Sequence, residues 1–374
     1  MKMLPTASWY RGRRVLVTGH TGFKGGWLTL WLHHWGARIH GLALPPATQP
    51  NLFEVLQIHS LLEQHREGDV GDAETVRQAV LQSDAEIVFH LAAQALVRPG
   101  YQDPVGTFKS NVMGVVHLLE AVRQRQRPCV VVIVTSDKCY LNQEQIWGYR
   151  ECDPMGGEDP YSASKGAAEL VVAAFRRAYF PPEKLAEHGV ALASVRAGNV
   201  LGGGDWARDR LVPDIVRAVT SGTPVLLRNP GAVRPWQHVL DPLHGYLMLG
   251  ERLANAPEQA ALFCSGWNFA PFPQDTGMTV GEITQRFTKC FEAPAWQADA
   301  GNHPHEAHVL RLSIDKALQH LAWRPVWDMP TTIDHTARWY RRFRDEPEMM
   351  LNWSVQDIEA FLHAAANISN KENK

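Results

Sequence analysis

A Rossmann-type, doubly wound parallel sheet joined to a smaller α+β substrate-binding domain is the fold class this sequence predicts. Three observations predict it. Apolar runs too continuous for a half-exposed strand, such as "VVVIV" at 130–134, suit strands buried on both faces. Helical patterns separate these runs in regular βαβ alternation. The first strand also runs directly into glycines at G-x-x-G-x-x-G spacing, Gly19, Gly22 and Gly25, which open a helix.

The elements follow in order. "RRVLVTG" (13–19) reads as a strand, and "GGWLTLWLHHWG" (25–36) as an apolar helix in which Trp27, Trp31 and Trp35 recur at i, i+4 as core. "ARIHGLAL" (37–44) and "AEIVFHLAA" (85–93) are further strands. Residues 104–126 set Val105, Phe108, Val112, Val116, Leu119 and Val122 on one helical face. "VVVIVTSDKCY" (130–140), a helix near 160–179 and "VALASVRAGNV" (190–200) complete the alternation. Past residue 198 the texture changes to a glycine-rich loop, "GNVLGGGDW", and to Pro- and Trp-rich segments. We therefore expect a nucleotide-binding domain over 10–198, to which 233–255 returns. The substrate domain should occupy mainly 199–350, followed by a C-terminal helix and frayed polar tail at 351–374.

With 37 Lys+Arg against 39 Asp+Glu, the net charge of −2 gives no footprint for nucleic acid or an anionic membrane. No segment has the length and apolarity of a membrane span, and the N-terminal stretch lacks a signal-peptide core, so a cytoplasmic location is expected. Five cysteines, at 129, 139, 152, 264 and 290, are dispersed without a C-x-x-C pair and read as reduced, mostly packed thiols. His303, His305, Glu306 and His308 fit neither helical ligand spacing nor a finger pattern, so no metal is expected.

The chemistry concentrates where strands end, because ligands of open α/β sheets bind at the carboxyl ends of their strands. The glycine turn leaves helix N–H groups free for a pyrophosphate. No acidic residue lies between Lys24 and Glu54, so the usual ribose-binding carboxylate is missing and the turn alone leaves NAD and NADP open. No arginine stands at the second strand's end either, which favours NAD. Ser136, Asp137 and Lys138 end the 130–134 strand, and Tyr161 and Lys165 stand four apart on a helix, sharing a face. An ammonium so placed is expected to lower the tyrosine's pKa from its usual ~10.

This combination resembles the extended short-chain dehydrogenase/reductases. "TSDKCY", "HLAAQALVRPGY", "YSASKGAAE" and "RPWQHVLD" narrow the likeness to the CDP-glucose 4,6-dehydratases within that family, over residues 10–345 or so. The resemblance implies NAD as cofactor, CDP-glucose as substrate and a homodimer or higher homo-oligomer joined through the helices near 104–126 and 160–179. It implies a proton taken from the sugar 4-hydroxyl at Tyr161, with Ser136 on the same oxygen and Lys165 on the nicotinamide ribose. Asp137 becomes the acid at the departing 6-hydroxyl and Lys138 the base at C5, where the related dTDP-glucose enzymes carry glutamate. A free lysine titrates near 10.4, so that role asks for about 4–5 kcal/mol of destabilisation of the ammonium. Lys138 that merely organises the site is the competing reading.

By the same resemblance Gly19, Thr21, Gly22, Phe23, Lys24 and Gly25 hold the cofactor. Asp69 and Val70 lie by its adenine, Leu91, Ala92, Ala93 and Gln94 line it, and Asn111 supports the site. Gln94 and Arg98 approach the sugar, while Asn199, Arg208 and Arg234 clasp the nucleotide diphosphate. A 4-epimerase or 4-reductase of the same fold shares the Tyr–Lys pair, and a non-catalytic nucleotide sensor would need none of these groups.

Overall fold

A computed structural model describes residues 4–272, 278–299 and 310–372, with side chains through residue 369. Eleven strands are present among these residues: β1 Arg14–Thr18, β2 Arg38–Ala43, β3 Gln64–Glu67, β4 Ile87–His90, β5 Cys129–Val134, β6 Val190–Ala197, β7 Val200–Leu201, β8 Leu226–Leu227, β9 Gln237–His238, β10 Gly266–Phe269 and β11 Gln297–Ala298. Seven of them form one sheet in the order β10-β6-β5-β4-β1-β2-β3. Every pairing in it is parallel. The order reverses between β1 and β4, which opens a crevice at their carboxyl ends.

Side chains alternate between the two faces of the sheet, and each face has its own core. Val15 and Val17 of β1 pack on the side of Trp27, Trp31 and Trp35. Leu16 points the other way, toward Val115, Leu118, Leu119 and Val122. All six residues of β5 are buried, as its unbroken apolar run requires. The helix Phe23–His34 is buried nearly all round because the C-terminal helix Met350–Glu372 covers its far side, bringing Phe361 to 5.7 Å from Trp31. That last helix runs to Glu372, beyond the point where its polar sequence suggested fraying.

One expectation is corrected. The 104–126 segment is three pieces: Pro104–Phe108, a π-helical turn Lys109–Met113, and Gly114–Arg125. Its apolar stripe divides accordingly, with Leu119 and Val122 on the sheet but Val105 and Phe108 exposed. Within 233–255 lies the helix Leu240–Asn255, buried in the core. The chain leaves the sheet after β6 and returns at β10, directly beside it. Around that return stand the small pairs β7–β9 and β8–β11 and the helices Leu211–Thr220, Val280–Lys289 and Met329–Asp345.

Candidate active site

The tip of β5 is a built corner. Ser136 caps the 3₁₀ turn Asp137–Cys139: its Oγ accepts from the Lys138 N–H at 3.3 Å and donates to Asp137 Oδ1 at 2.9 Å. Asp137 is buried, and that burial raises its pKa against the opposing pull of Lys138, the Ser136 hydroxyl and Lys24. Lys138 is half-buried, Cys139 is packed inside, and all five cysteines are free.

Facing this corner is the helix Pro160–Ala178. Asp159 caps it, accepting from Ser162 N at 3.0 Å and Ser162 Oγ at 2.5 Å, and Pro160 fits the first turn, where an N–H has no helical partner. Tyr161 and Lys165 are both buried on one face. Lys165 Nζ reaches the Val134 carbonyl at 3.5 Å, and burial lowers its pKa to about 8. The expected lowering of Tyr161 is not what the structure holds. Burial pushes the phenol up to about 12, while a hydrogen bond with Ser136 and the charge of Arg210 act in the other direction. Asn111 sits in the π turn and ties the corner together: its amide donates to Gln94 O at 3.0 Å and Ser164 Oγ at 2.8 Å, and its oxygen accepts from Gln94 N at 2.8 Å.

The first βα turn suits a dinucleotide. Gly19 has φ +76°, and a Cβ there would stand 2.7 Å from Ala92 N; at Gly25 it would stand 2.1 Å from Gly19 O. No side chain caps the helix that starts at Phe23, and no acid lies in its first turn, so its N-terminal N–H groups are free to meet a pyrophosphate. Leu91, Ala92, Ala93 and Gln94 run alongside this turn and are half-buried. Thr21 is committed to the Leu44 carbonyl at 2.8 Å. Asp69 accepts from Gly71 N at 2.8 Å and pairs with Lys109 at 3.4 Å, beside buried Val70. These residues fit NAD.

The remaining predicted positions divide. The Gln94 side chain is engaged by Leu96 and Thr107, through bonds of 2.5–3.0 Å, rather than open to a ligand. Arg98 lies across the mouth in an ion pair of 2.5 Å with Asp209, which also holds Arg228 at 3.3 Å. Asn199 and Arg208 are exposed, and Arg234 Nη1 donates to Val233 O at 3.2 Å. Arg210, which the sequence reading missed, is the arginine whose charge reaches Tyr161, and it pairs with Asp205 at 2.8 Å. Lys24 was assigned to the cofactor but also faces the corner: its ammonium senses Asp137, Lys165 and Arg210, burial lowers its pKa to about 8, and Nζ lies 3.5 Å from the Tyr246 hydroxyl. The histidines at 303, 305 and 308 lie outside the described residues, and no cluster of metal-ligating side chains occurs among the described ones.

Comparison with known proteins agrees with this geometry. Residues 16–336 match the family model described as GDP-mannose 4,6 dehydratase. A CDP-glucose 4,6-dehydratase of Salmonella typhimurium is 47% identical over 357 residues, covering 96% of this chain and 98% of the relative. A dTDP-glucose 4,6-dehydratase of Xanthomonas campestris is 28% identical over 60% of this chain and 64% of its own. Among solved structures, an epimerase from Methanothermobacter thermautotrophicus superposes with a TM-score of 0.75 at 22% identity, covering 91% of this chain and 96% of that one. A dTDP-glucose 4,6-dehydratase from Streptomyces venezuelae, solved with NAD and TYD bound, gives 0.72 at 22% identity, with 89% and 99% covered. The structural likenesses speak to the fold.

Proposed function

The chain belongs to the GDP-mannose 4,6-dehydratase family, and from that premise we propose that it is an NAD-dependent lyase converting CDP-glucose to CDP-4-keto-6-deoxyglucose and water. The observation that carries this reading is the corner itself: a buried carboxyl, an amine and a hydroxyl on one strand tip, opposite a Tyr–Lys pair. Near-full-length identity of 47% to a CDP-glucose enzyme supports the choice of nucleotide.

In this reading Tyr161 and Ser136 hold the sugar 4-oxygen, and the phenolic oxygen takes the 4-hydroxyl proton. Burial raises its pKa, so acting as this base requires a neighbouring positive charge to offset burial and bring the phenol back toward the working range. NAD, if bound there, would supply the hydride acceptor for C4 and the hydride donor for C6, with none consumed overall. The ketone at C4 acidifies the C5 hydrogen. Lys138 takes that proton while Asp137, whose burial raises its pKa, gives one to the departing 6-hydroxyl, and the hydride at C6 is matched by a proton returned to C5. Water leaves across C5 and C6. Lys165 fixes the nicotinamide ribose, and the glycine turn, Asp69 and Val70 hold the rest of the dinucleotide. Arg210 and Arg234 answer the diphosphate, for which a guanidinium fork is suited, and Arg98 the sugar.

We further propose a homodimer through the exposed Val105, Phe108, Met113 and Leu170. A cytoplasmic location would match five unpaired thiols. Mass spectrometry with CDP-, dTDP- and UDP-glucose offered separately in deuterated water tests the main proposal. Loss of one water from CDP-glucose, with one deuteron gained at C5, is expected. Turnover of another nucleotide alone would overturn the substrate, and unchanged mass with all three would overturn the reaction. A Lys138→Ala enzyme exchanging C5 hydrogen at the normal rate would remove Lys138 from the base role.

A further inference from the structure

The face that carries Tyr161 and Lys165 continues one turn further, to Glu169, at the same four-residue step. Glu169 is buried and fully engaged. Its Oε1 accepts from Thr135 Oγ1 at 2.5 Å, and its Oε2 accepts from Ser194 Oγ at 2.7 Å and Arg196 Nη2 at 2.8 Å. Thr135 is the residue immediately before Ser136, and Lys165 reaches Val134, the residue before that. Successive rungs on one helix face therefore grip successive residues of the strand tip. Arg196 extends the network to the Tyr140 hydroxyl at 2.6 Å, and Tyr140 donates to Asn268 Oδ1 of β10 at 2.8 Å.

We propose that Glu169 is a positioning residue: its carboxylate, fixed by Thr135, Ser194 and Arg196, holds the Tyr161 helix in register with the Ser136–Lys138 corner and keeps Lys165 charged. A purely structural ion pair at this depth has little to recommend it, since two buried charges gain little over an apolar pair. Here one partner lies four residues from the lysine whose charge the cofactor ribose needs. Burial raises the Glu169 pKa, but Arg196, Thr135 and Ser194 outweigh it and keep the carboxylate ionised. The groups around the Lys165 ammonium are Glu169 on its own helix, Cys139 on the strand-tip turn, Lys24 on the first helix and His90 on β4. Of these, Glu169 is the one held as an anion. The role of Lys165 rests on the proposed function, so the test includes a measurement that needs no sugar.

Glu169→Gln and the charge-balanced Glu169→Gln/Arg196→Met are compared with the unaltered protein, the double variant guarding against misfolding from a lone buried guanidinium. NAD affinity and kcat are followed against pH, with Tm recorded alongside. A lysine held charged by Glu169 predicts that NAD affinity, lost as pH rises through the Lys165 pKa, is lost about 0.5–1 pH unit lower in Glu169→Gln and shifts less in the double variant, where the Arg196 charge goes too. The register role predicts kcat about tenfold lower in the double variant even where Tm is restored. A folded Glu169→Gln with the NAD–pH curve of the unaltered protein, or a folded double variant with its kcat, overturns the proposal. Should the unaltered protein bind NAD but leave CDP-glucose untouched, the proposed function fails while the NAD titration still judges Glu169.

Discussion

Two regions meet over the substrate position, and they are built by different rules. On the sheet side, Ser136, Asp137, Tyr161, Lys165 and Asn111 are all buried. Most of them are held by hydrogen bonds to backbone or to neighbouring side chains. On the other side, Arg98 and Arg228 pair with exposed Asp209, while Arg210 pairs with buried Asp205. The exposed pairs contribute little to stability, typically under ~1 kcal/mol, and exchange partners easily. On the proposed function the difference divides the work: chemistry would fall to groups whose geometry is set before the substrate arrives, and recognition to the charges around Asp209 that can be surrendered to a phosphate.

Substitutions on the two sides should therefore fail differently. The largest effect is expected for Tyr161→Phe, with kcat down about 10²–10⁴-fold while CDP-glucose still binds by calorimetry. Equal loss of binding would blur the division. Asp137→Asn comes next. Oxidation at C4 remains possible but elimination stalls, so turnover falls about 10²-fold while the absorbance of reduced nicotinamide accumulates, visible by stopped flow. On the recognition side, Arg210→Ala should raise KM about tenfold, whereas Arg208→Ala stays within about twofold. Equal effects of the two would contradict the placement of Arg210 beside Tyr161.

The smallest effect concerns stability away from both regions. Asp241 is buried, accepts from Val326 N at 2.6 Å, and burial raises its pKa to about 8. Its unfolded value is near 4, so between these pH values the folded protein binds the extra proton. Its contribution is therefore full below about pH 4 and is lost as pH rises toward 8. Asp241→Asn should flatten the fall of Tm between pH 5 and 8 by several degrees. An unchanged slope would show that Asp241 stays ionised throughout.

The sheet side was also the legible side. Unbroken apolar runs, a glycine turn and a Tyr–Lys spacing are local signals, and the structure puts each where its pattern implied. Tertiary circumstances decided the rest. The Tyr161 pKa was misjudged because spacing reveals a neighbour's charge but not the depth of burial. Arg208 and Arg210 are indistinguishable as letters, and the turn between them sends one to solvent and one toward Tyr161. β10 was hidden because four residues in a Trp- and Phe-rich stretch carry no alternation to read. Glu169 left a signal that went unused, the third member of a four-residue repeat already in view.

β6 and β10 are parallel neighbours, so the chain leaves at the carboxyl edge with Ala197 and re-enters with Gly266 level with Ser194, toward the opposite edge. The helix Leu240–Asn255, buried along most of its length in the core, lies on that crossing. Arg208, Arg210, Arg228 and Arg234 all come before it. Length can therefore change at small entropic expense between Ala197 and Leu240, because closure costs rise only slowly with loop length, whereas the helix that carries the chain back cannot change without disturbing the core. Splice points for chimaeras belong at Ala197 and just before Leu240.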